Sequence, residues 1–396
     1  MHYAVLNSMG DGSRHYPCLS PSARSSASEP SYRDQSTVSL RPLDLAQASS
    51  RPHRPFVSLV IPCRNEAAYV GQLLDSILAN EYPRERLEVL IVDGMSDDGT
   101  REVIAAYAHR HPMIQLLDNP KRITPCALNL GIARAQGSII MRMDAHANYP
   151  PNYVAGLVDW LERTGADYVG GAWVTLPADV TPTARAIAAV LAHRFGIGDS
   201  HYRLGTNEVR EVDTLPLGAF RRELFEQVGL FDEELVRNQD EEFSFRVLRA
   251  GKRVLLVPGV ACCYYARRSL RQLARNFYQY GLYKPLVALK IGRIMTLRQV
   301  VPGAFVLGVL LTTLAAPWVA PARALGALIV GSYLALDAAC AVALGWHRGA
   351  RVGLAAAIVF PLVHVCYGWG FLRGAVALLA RARGRRVDFR STPLSR

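Results

Sequence analysis

From position 56 to about 265, apolar and polar residues alternate in two kinds of block. The first kind is a short continuous apolar run, as in "FVSLVIP", "LEVLIVDG" and "SIIM". The second kind spaces apolar residues three or four positions apart, as at Val70, Leu73, Leu74 and Ile77. Buried strands joined by amphipathic helices give this alternation, so the sequence predicts a mostly parallel sheet covered on both faces. Because ligands of such sheets bind beyond the carboxyl ends of the strands, polar residues at those ends are the candidates for chemistry.

A different pattern begins near position 300. Residues 300–322 carry no charge, 324–346 carry only Asp337, and 352–372 carry none. Each segment is long enough to cross roughly 30 Å of hydrocarbon at about 1.5 Å per residue, whereas the alternative is a set of buried helices in a soluble domain. We predict three transmembrane segments within 299–380.

The charges around these segments bear on orientation. If the strand-helix part is cytoplasmic, the loop with Arg348 and Arg351 is cytoplasmic too, as the positive-inside tendency prefers. Three full crossings would then leave the basic tail, 381–396, outside. Because the last apolar stretch contains Pro361 and Gly368, we expect a broken or re-entrant segment that returns the tail to the cytoplasm.

The chain therefore divides into five predicted regions. Residues 1–55 are rich in Ser, Arg and Pro and show no apolar periodicity. We expect them to be a disordered extension, or the result of a translation start assigned too far upstream. The strand-helix domain covers 56–265. A basic, aromatic helical region suited to a membrane interface covers 266–298, the apolar segments fill 299–380, and the basic tail covers 381–396.

Net charge and cysteine spacing limit the class of partner. The formal net charge of +12 is scattered apart from "RARGRR" at 381–386, and basic residues beside apolar segments favour anionic lipid headgroups. We expect no nucleic-acid partner. The seven cysteines show no CxxC pair and no disulfide-framework spacing, so we interpret them as unpaired thiols of a reducing compartment.

Polar residues follow the first two predicted strands. "PCRNE" places Arg64 and Glu66 after the first strand, where the alternative is an ordinary helix N-terminus capped by Asn65. "VDGMSDDGT" ends the second strand with Asp93, whose carboxylate could accept a hydrogen bond from a base imide or a ribose hydroxyl. Each site taken alone is ambiguous.

A third site lies in "MRMDAHANYP", residues 141–150. Alternate side chains of an extended segment point the same way, so Arg142, Asp144 and His146 share a face. A carboxylate and an imidazole could ligate Mn²⁺ or Mg²⁺ if substrate phosphates and water complete the shell. The alternatives are a phosphate contact and a solvated strand end.

A fourth site lies in "NQDEEFSFRVLRAG". It places Asp240, Glu241 and Glu242 in the first turn of a predicted helix. Acids there are ordinary partners of the helix dipole. A carboxylate presented at a helix start beside a crevice is also a suitable general base for a hydroxyl.

Taken together, these sites in this order resemble glycosyltransferase family 2 with the GT-A fold, over about 56–285. Stretches such as "RITPCALNLGIARAQG", "MRMDAHANYP" and "EVDTLPLGAFRRELFEQVGLFDEELVRNQDEE" are similar to succinoglycan-type glucosyltransferases, which elongate lipid-linked saccharides at the cytoplasmic membrane face. The resemblance implies an α/β GT-A domain followed by transmembrane helices. It also implies a multi-pass protein of a bacterial-type inner membrane, with the catalytic domain facing the cytoplasm.

The resemblance also implies a donor site. Pro62, Glu66 and Asp93 match positions that hold the uridine of a nucleotide sugar. Asp144 and His146 match the DxD motif with histidine in place of the second acid. The match implies a divalent cation, Mg²⁺ or Mn²⁺, for which Asp144 is a stronger candidate ligand than His146. The implied nucleotide-sugar site consists of Pro62, Arg64, Glu66, Asp93, Arg142 and Asp144.

Further positions match the acceptor side of the family. Gln239 and Asp240 match a Glu-Asp pair whose aspartate is the catalytic base, so Asp240 is the candidate base and Glu242 a supporting acid. Gln272 and Arg275 match part of the QxxRW motif without its tryptophan, which favours the addition of one sugar. The implied acceptor or diphosphate region consists of Arg203, Gly218, Gln272 and Arg275.

The implied reaction moves a sugar, glucose, from a UDP-sugar to a polyprenyl-linked saccharide with inversion, in exopolysaccharide or cell-surface glycan synthesis. The lipid bilayer is an implied partner, and association with other polysaccharide-assembly membrane proteins is a further expectation. Two alternatives stay open, a nucleotidyltransferase that makes the sugar donor and a catalytically silent membrane scaffold. The scaffold predicts that Asp240→Asn leaves function intact.

Overall fold

A computed structural model describes residues 54–294, 296–384 and 389 of the chain. The predicted N-terminal extension and most of the basic tail therefore fall outside the described residues. The bounds of the predicted strand-helix domain and of the interface region stay predictions.

A mixed sheet forms the centre of the domain. Its order is β3-β2-β1-β4-β8-β6-β9-β5, with β7 also paired to β9. The pairs among β1, β2, β3 and β4 are parallel, as is β6 with β9, whereas β8 runs antiparallel between β4 and β6. The strands are β1 Val57–Cys63, β2 Leu87–Asp93, β3 Ile114–Asp118, β4 Ile139–Arg142, β5 Ala147–Asn148, β6 Tyr168–Leu176, β7 Arg210–Glu211, β8 Gly218–Arg221 and β9 Val254–Tyr265.

The sheet has an apolar core on each face. Along β1, Leu59 and Ile61 enter one core with Leu73 of the helix Ala67–Leu78, whereas Val60 enters the other with Phe243 of the helix Gln239–Arg249. Apolar residues on both faces explain why the strands read as continuous runs. The helices are α1 Ala67–Leu78, α2 Thr100–Arg110, α3 Thr124–Arg134, α4 Tyr153–Thr164, α5 Pro182–Val190, α6 Arg194–Ile197, α7 His201–Leu204, α8 Arg222–Val228, α9 Gln239–Arg249, α10 Leu270–Ile291, α11 Val301–Ala315, α12 Ala320–Arg348 and α13 Ala350–Ala382.

Three apolar helices follow the sheet. With 29 and 33 residues, α12 and α13 are long and apolar enough to span a membrane, whereas α11 has 15 residues. Their outer faces carry exposed apolar side chains such as Leu328 (67% exposed) and Leu354 (72%), unlike the buried core helices of a soluble domain. Trp318 and Trp346, near the two ends of α12, are 83% and 87% exposed. On a helix they would lie roughly 40 Å apart, which is about the thickness of a bilayer with its headgroups.

Helix α13 is continuous through Pro361, so the break expected in this segment does not occur. A proline inside a helix removes one backbone hydrogen bond and favours a kink. Here Phe360 and Val363 are fully buried on either side of Pro361, and they pack in one cluster with Ile187 of α5. This packing holds the helix together where the local sequence favours a break.

Both ends of α13 contact the strand-helix domain. At its start, Val352 packs in the cluster that includes Ile187 of α5. At its end, the Arg381 Nη1 lies 2.6 Å from the Glu234 Oε1. Because both ends of α13 contact the strand-helix domain, the C-terminal end of this helix lies on the same side as the domain.

Helices α10 and α13 approach each other at the level of their backbones. A Cβ built on Gly281 of α10 would lie 2.0 Å from the Tyr367 carbonyl oxygen, and one built on Gly370 of α13 would lie 2.1 Å from that of Tyr278. Backbone atoms cannot rotate away as a side chain can. Only glycine therefore fits at these two positions of the interface.

A half-buried histidine joins two apolar helices to the domain. The Nε2–H of His364 on α13 donates to the carbonyl oxygen of Phe195 at 2.8 Å, because a carbonyl can only accept. Its Nδ1 then accepts from the hydroxyl of Tyr333 on α12, also at 2.8 Å. These bonds hold α6 against the apolar helices, and α6 leads directly into α7.

We predict opposite effects for two glycine-to-alanine substitutions. Gly370→Ala should lower the free energy of unfolding by about 1–3 kcal/mol or more, because the added methyl group meets backbone. Gly331→Ala on α12, where no atom lies within 4 Å of the added Cβ, should raise it by up to about 1 kcal/mol through helix propensity. Thermal unfolding of the detergent-solubilised chain at one fixed scan rate measures both. Equal effects of the two substitutions would contradict the close approach of α10 and α13.

Candidate active site

Three parallel strands end at one edge of the sheet and place polar residues there. In the strand register, Cys63 of β1 faces Asp93 of β2, and Val60 of β1 faces Arg142 of β4. The antiparallel strand β8 begins at the same edge, with Gly218 opposite Arg142. A cavity of about 770 Å³ lies beyond this edge and continues between α10, α11, α12 and α13.

The structure brings part of the predicted set into this cavity. The predicted residues that line it are Pro62, Arg142, Asp144, His146, Arg203 and Asp240. The predicted residues that do not line it are Arg64, Glu66, Asp93, Gly218, Glu242, Gln272 and Arg275. The first group comes from strand ends and helix starts that are far apart in sequence.

Arg142 and Asp144 form the acidic and basic centre of the strand edge. The Arg142 Nη2 lies 3.7 Å from the Asp144 Oδ1, and Arg142 is only 6% exposed. Its Nε is buried without a hydrogen-bond partner among the described residues. The backbone N–H of Asp144 donates to the Tyr149 hydroxyl at 2.7 Å, which holds the loop after β4.

His146 is held between two side chains. Its Nδ1 lies 3.2 Å from the Glu66 Oε1, and its Nε2 lies 3.4 Å from the Tyr264 hydroxyl. The Tyr264 ring in turn stacks on Trp173 at 4.4 Å between centroids. Both ring nitrogens of His146 therefore have protein partners, and a metal would have to compete with Tyr264 for Nε2.

The Asp93 side chain is fully buried, and its carboxylate already accepts hydrogen bonds from neighbouring protein groups. Its carboxylate accepts from the Ser96 backbone N–H at 2.9 Å, from the Ser96 hydroxyl, and from the Arg101 Nη1 at 2.8 Å. The side chain of Arg64 lies over the adjacent Gly94, whose added Cβ would come within 3.1 Å of it. In this arrangement Asp93 organises the turn after β2, and its uridine contact stays a prediction.

Asp240 enters the cavity from the first turn of α9. Asn238, immediately before the helix, takes a left-handed conformation at φ 61° and donates from its Nδ2 to the Tyr280 carbonyl at 3.0 Å. Burial raises the pKa of the Asp240 carboxyl above its ordinary value, while Arg142 and Lys284 oppose the shift and Asp144 adds to it. The result is a carboxylate more basic than an exposed aspartate, with two cations nearby.

The two acids after Asp240 have different partners. Glu241 lines the cavity, forms an ion pair with Lys284 of α10, and accepts from the Gln299 Nε2 at 2.5 Å. Glu242 faces away and binds Arg246 through both oxygens, at 2.7 and 2.9 Å. Glu242 thus supports α9 from outside the cavity.

Gly218, Gln272 and Arg275 lie outside the lining of the cavity. Gly218 lies in β8, and a Cβ there would meet the Val169 carbonyl oxygen at 2.2 Å. The close approach at Gly218 is therefore to the neighbouring strand β6. Arg275 is exposed on α10, and Gln272 lies in the first turn of the same helix. Their acceptor roles stay predictions.

Comparison with known proteins relates this geometry to a family. The family model "Glycosyl transferase family 2" matches residues 58–229. The succinoglycan biosynthesis protein ExoA of Rhizobium meliloti is 32% identical, over 80% of this chain and 93% of its own length. The chain belongs to glycosyltransferase family 2.

Two other relatives of this family 2 enzyme bear on fold and chemistry. A dolichyl N-acetyl-alpha-D-glucosaminyl phosphate 3-beta-D-2,3-diacetamido-2,3-dideoxy-beta-D-glucuronosyltransferase of Methanococcus voltae is 27% identical, over 59% of this chain and 74% of its own. The mannosyltransferase PcManGT of Pyrobaculum calidifontis, solved with GDP-Man and Mn²⁺, is 26% identical with a TM-score of 0.50, over 78% of this chain and 87% of that one. The GT-A fold implied by the sequence is confirmed.

The glycosyltransferase has cavity residues that sequence reasoning did not single out. Arg267 follows the last strand, and Lys284 lies in the middle of α10. A signal for Lys284 exists in "GLYKPLVAL", where one charge interrupts an apolar helical stretch. Arg267 has a weaker signal, the double arginine that follows "CCYYA".

The side chains of the glycosyltransferase that could ligate a metal suit a cation that takes most of its ligands from the substrate. The described residues contain no group of three or more His, Cys, Asp or Glu side chains able to hold a metal. The Asp144 carboxylate lines the cavity, and its one close charged partner among those residues is Arg142 at 3.7 Å. One carboxylate oxygen donor suits Mg²⁺ or Mn²⁺ completed by phosphate and water.

We predict different metal responses for Asp144 and His146. Asp144→Asn should raise the Mn²⁺ concentration for half-maximal UDP binding by about 10- to 100-fold, because it removes the available carboxylate. His146→Gln should change that concentration less than about threefold, because glutamine can keep contacts to Glu66 and Tyr264. Titration of UDP binding against Mn²⁺ measures both. Equal losses would make His146 a ligand of the cation.

Proposed function

We propose that this glycosyltransferase moves glucose from UDP-glucose to a polyprenyl-linked saccharide, with inversion, in exopolysaccharide or cell-surface glycan synthesis. The observation that carries the proposal is that Asp144 and Asp240 line one cavity, with Arg142 beside Asp144 and electrostatically coupled to Asp240. In this proposal Asp144 serves the donor diphosphate and Asp240 serves the acceptor hydroxyl. The similarity to a succinoglycan biosynthesis protein supports the class of product.

The chemistry is a single displacement. The acceptor hydroxyl oxygen forms a bond to the anomeric carbon on the face opposite the diphosphate, and Asp240 takes its proton. The bond to the diphosphate breaks, and its electron pair leaves with the diphosphate. Configuration at the anomeric carbon therefore inverts.

Charge on the leaving diphosphate is offset by groups already in the cavity. Arg142 lines it, and its buried Nε–H group has no partner among the described residues. Such donors stabilise developing charge most where water is excluded. A divalent cation at Asp144 would add Lewis-acid stabilisation of the leaving group.

The test is sugar transfer in membranes that contain the full chain. Labelled UDP-glucose, UDP-galactose and GDP-mannose are supplied with lipid-linked acceptors and Mn²⁺, and we expect label from UDP-glucose in the extracted lipid. Asp240→Asn should lower the rate by about 10²- to 10⁴-fold because it removes the base. Glu226→Gln, an exposed change on α8 outside the cavity, is the matched control and should have no effect.

The pH profile adds a second readout for Asp240. The base acts only when deprotonated, and burial raises its pKa. Activity should therefore fall, as the pH is lowered, at a pH above the ordinary aspartate value of about 3.9. Unchanged function of Asp240→Asn in the cell, with no sugar transfer by either chain, would favour a catalytically silent scaffold. Formation of UDP-glucose from glucose 1-phosphate and UTP would favour a nucleotidyltransferase.

We also propose how the enzyme lies in a bacterial-type inner membrane. The antiparallel helices α11 and α12 cross and return as a hairpin, with the 15 residues of α11 extended across the bilayer by the uncharged residues 316–319. Helix α13 stays on the cytoplasmic side with the catalytic domain. Support comes from the exposed Trp318 and Trp346 near the two ends of α12. The contact of Arg381 with Glu234 supports a cytoplasmic end for α13.

Cysteine labelling tests this arrangement. A variant with all seven native cysteines replaced by serine receives single cysteines at Ala316, Gly384 or Glu226. In intact spheroplasts a membrane-impermeant maleimide should label only the Ala316→Cys chain, at the tip of the hairpin. The Gly384→Cys chain should need permeabilisation, as the domain control Glu226→Cys does. Labelling of Gly384→Cys from outside would show that α13 crosses the membrane.

A further inference from the structure

Besides Arg142, two arginines in the cavity have buried N–H groups that no part of the described chain satisfies. They are the Nη1 of Arg203 and the Nε of Arg267. Neither arginine has a carboxylate within ion-pair distance among the described residues. A buried unpaired donor costs about 1–3 kcal/mol, and more when it is charged, so two in one cavity point to an absent anion.

Arg203 is fixed in position by aromatic rings. Its guanidinium carbon lies 4.8 Å from the centroid of Trp173 and 5.5 Å from those of Tyr202 and Tyr264. Cation–π contacts hold the guanidinium plane but use none of its N–H groups. A planar fork held in this way is suited to the oxygens of a phosphate.

The charge of the cavity exceeds what the donor requires. Seven basic and three acidic side chains line it. Three basic ones have acidic partners, since Lys284 pairs with Glu241, Arg142 pairs with Asp144, and Arg298 pairs with Asp199 and Asp213. The diphosphate of a UDP-sugar carries about two negative charges, which one divalent cation offsets. A positive excess therefore remains for a second anion.

The same cavity has an apolar wall. Phe305 of α11 and Ile329 and Leu336 of α12 line it together with the arginines. A ligand that joins a phosphate to an apolar chain matches both parts of this lining.

Resting on the proposed function, we propose that Arg203 and Arg267 bind the phosphate group of the lipid-linked acceptor rather than the donor diphosphate. The acceptor is then held by its phosphate while its sugar hydroxyl reaches Asp240. The chemical class is an isoprenoid phosphate or diphosphate. The alternative source of the same chemistry is the donor diphosphate itself.

The test measures the binding of farnesyl diphosphate to the full chain in detergent, with UDP and Mn²⁺ at saturation so that the donor site is occupied. Arg203→Gln and Arg267→Gln should each raise its Kd at least about tenfold, as the loss of a charged phosphate contact predicts. The Kd for UDP and the Kd for farnesol, which lacks the phosphate, should change less than about threefold. Arg203→Lys, which keeps the charge and the aromatic contacts, should fall between Arg203→Gln and the unmodified chain.

The matched control is Arg268→Gln. Arg268 is adjacent to Arg267, but its side chain is 76% exposed and lies 3.6 Å from Asp179. Its substitution should therefore leave the Kd values for farnesyl diphosphate and UDP unchanged. Retained UDP binding shows that each variant is folded.

Three results would overturn the inference. The first is weaker UDP binding with unchanged farnesyl diphosphate binding, which assigns the arginines to the donor. The second is no change in either ligand. The third is equal binding of farnesyl diphosphate and farnesol by the unmodified chain. Failure of the proposed function looks different, since the unmodified chain would then transfer no sugar in membranes whatever the binding results.

Discussion

The backbone contact between α10 and α13 is the constraint on which the rest of the site depends. Gly281 and Gly370 let the two helices meet without side chains between them. On α10, Lys284 then reaches Glu241, and the Tyr280 carbonyl reaches Asn238. These two contacts fix the first turn of α9, which carries Asp240. The position of the candidate base thus depends on an apolar helix that follows the catalytic domain in sequence.

The part of the site at the strand edge could be predicted from sequence because it depends only on where each buried strand ends. A buried parallel strand must end at the binding edge, so Pro62, Arg142 and Asp144 could be placed there before any coordinates. Asp240 could be placed because acids at a helix start are visible in sequence. Lys284 could not, since its approach depends on how α10 packs on α13, and no periodicity encodes that packing.

Motif matching and hydrogen bonding give different information about the same residues. Asp93 lies at the strand end that the pattern predicts, yet Ser96 and Arg101 already use its oxygens. His146 lies on the predicted face, yet Glu66 and Tyr264 contact both of its nitrogens. Pro361 likewise marks a break that tertiary burial prevents. In each case the sequence locates the residue, and long-range partners decide what its polar atoms can do.

The extension of the cavity between α11, α12 and α13 has a kinetic consequence. An acceptor that enters from the bilayer arrives by lateral diffusion in two dimensions, and its supply depends on the number of molecules per unit area. Adding inert lipid then slows the encounter even when the amounts of enzyme and acceptor in the sample are constant. Under the proposed function, the nucleotide sugar arrives from water, and its supply depends on its concentration per unit volume. The cavity would then receive one substrate counted per unit area and another counted per unit volume.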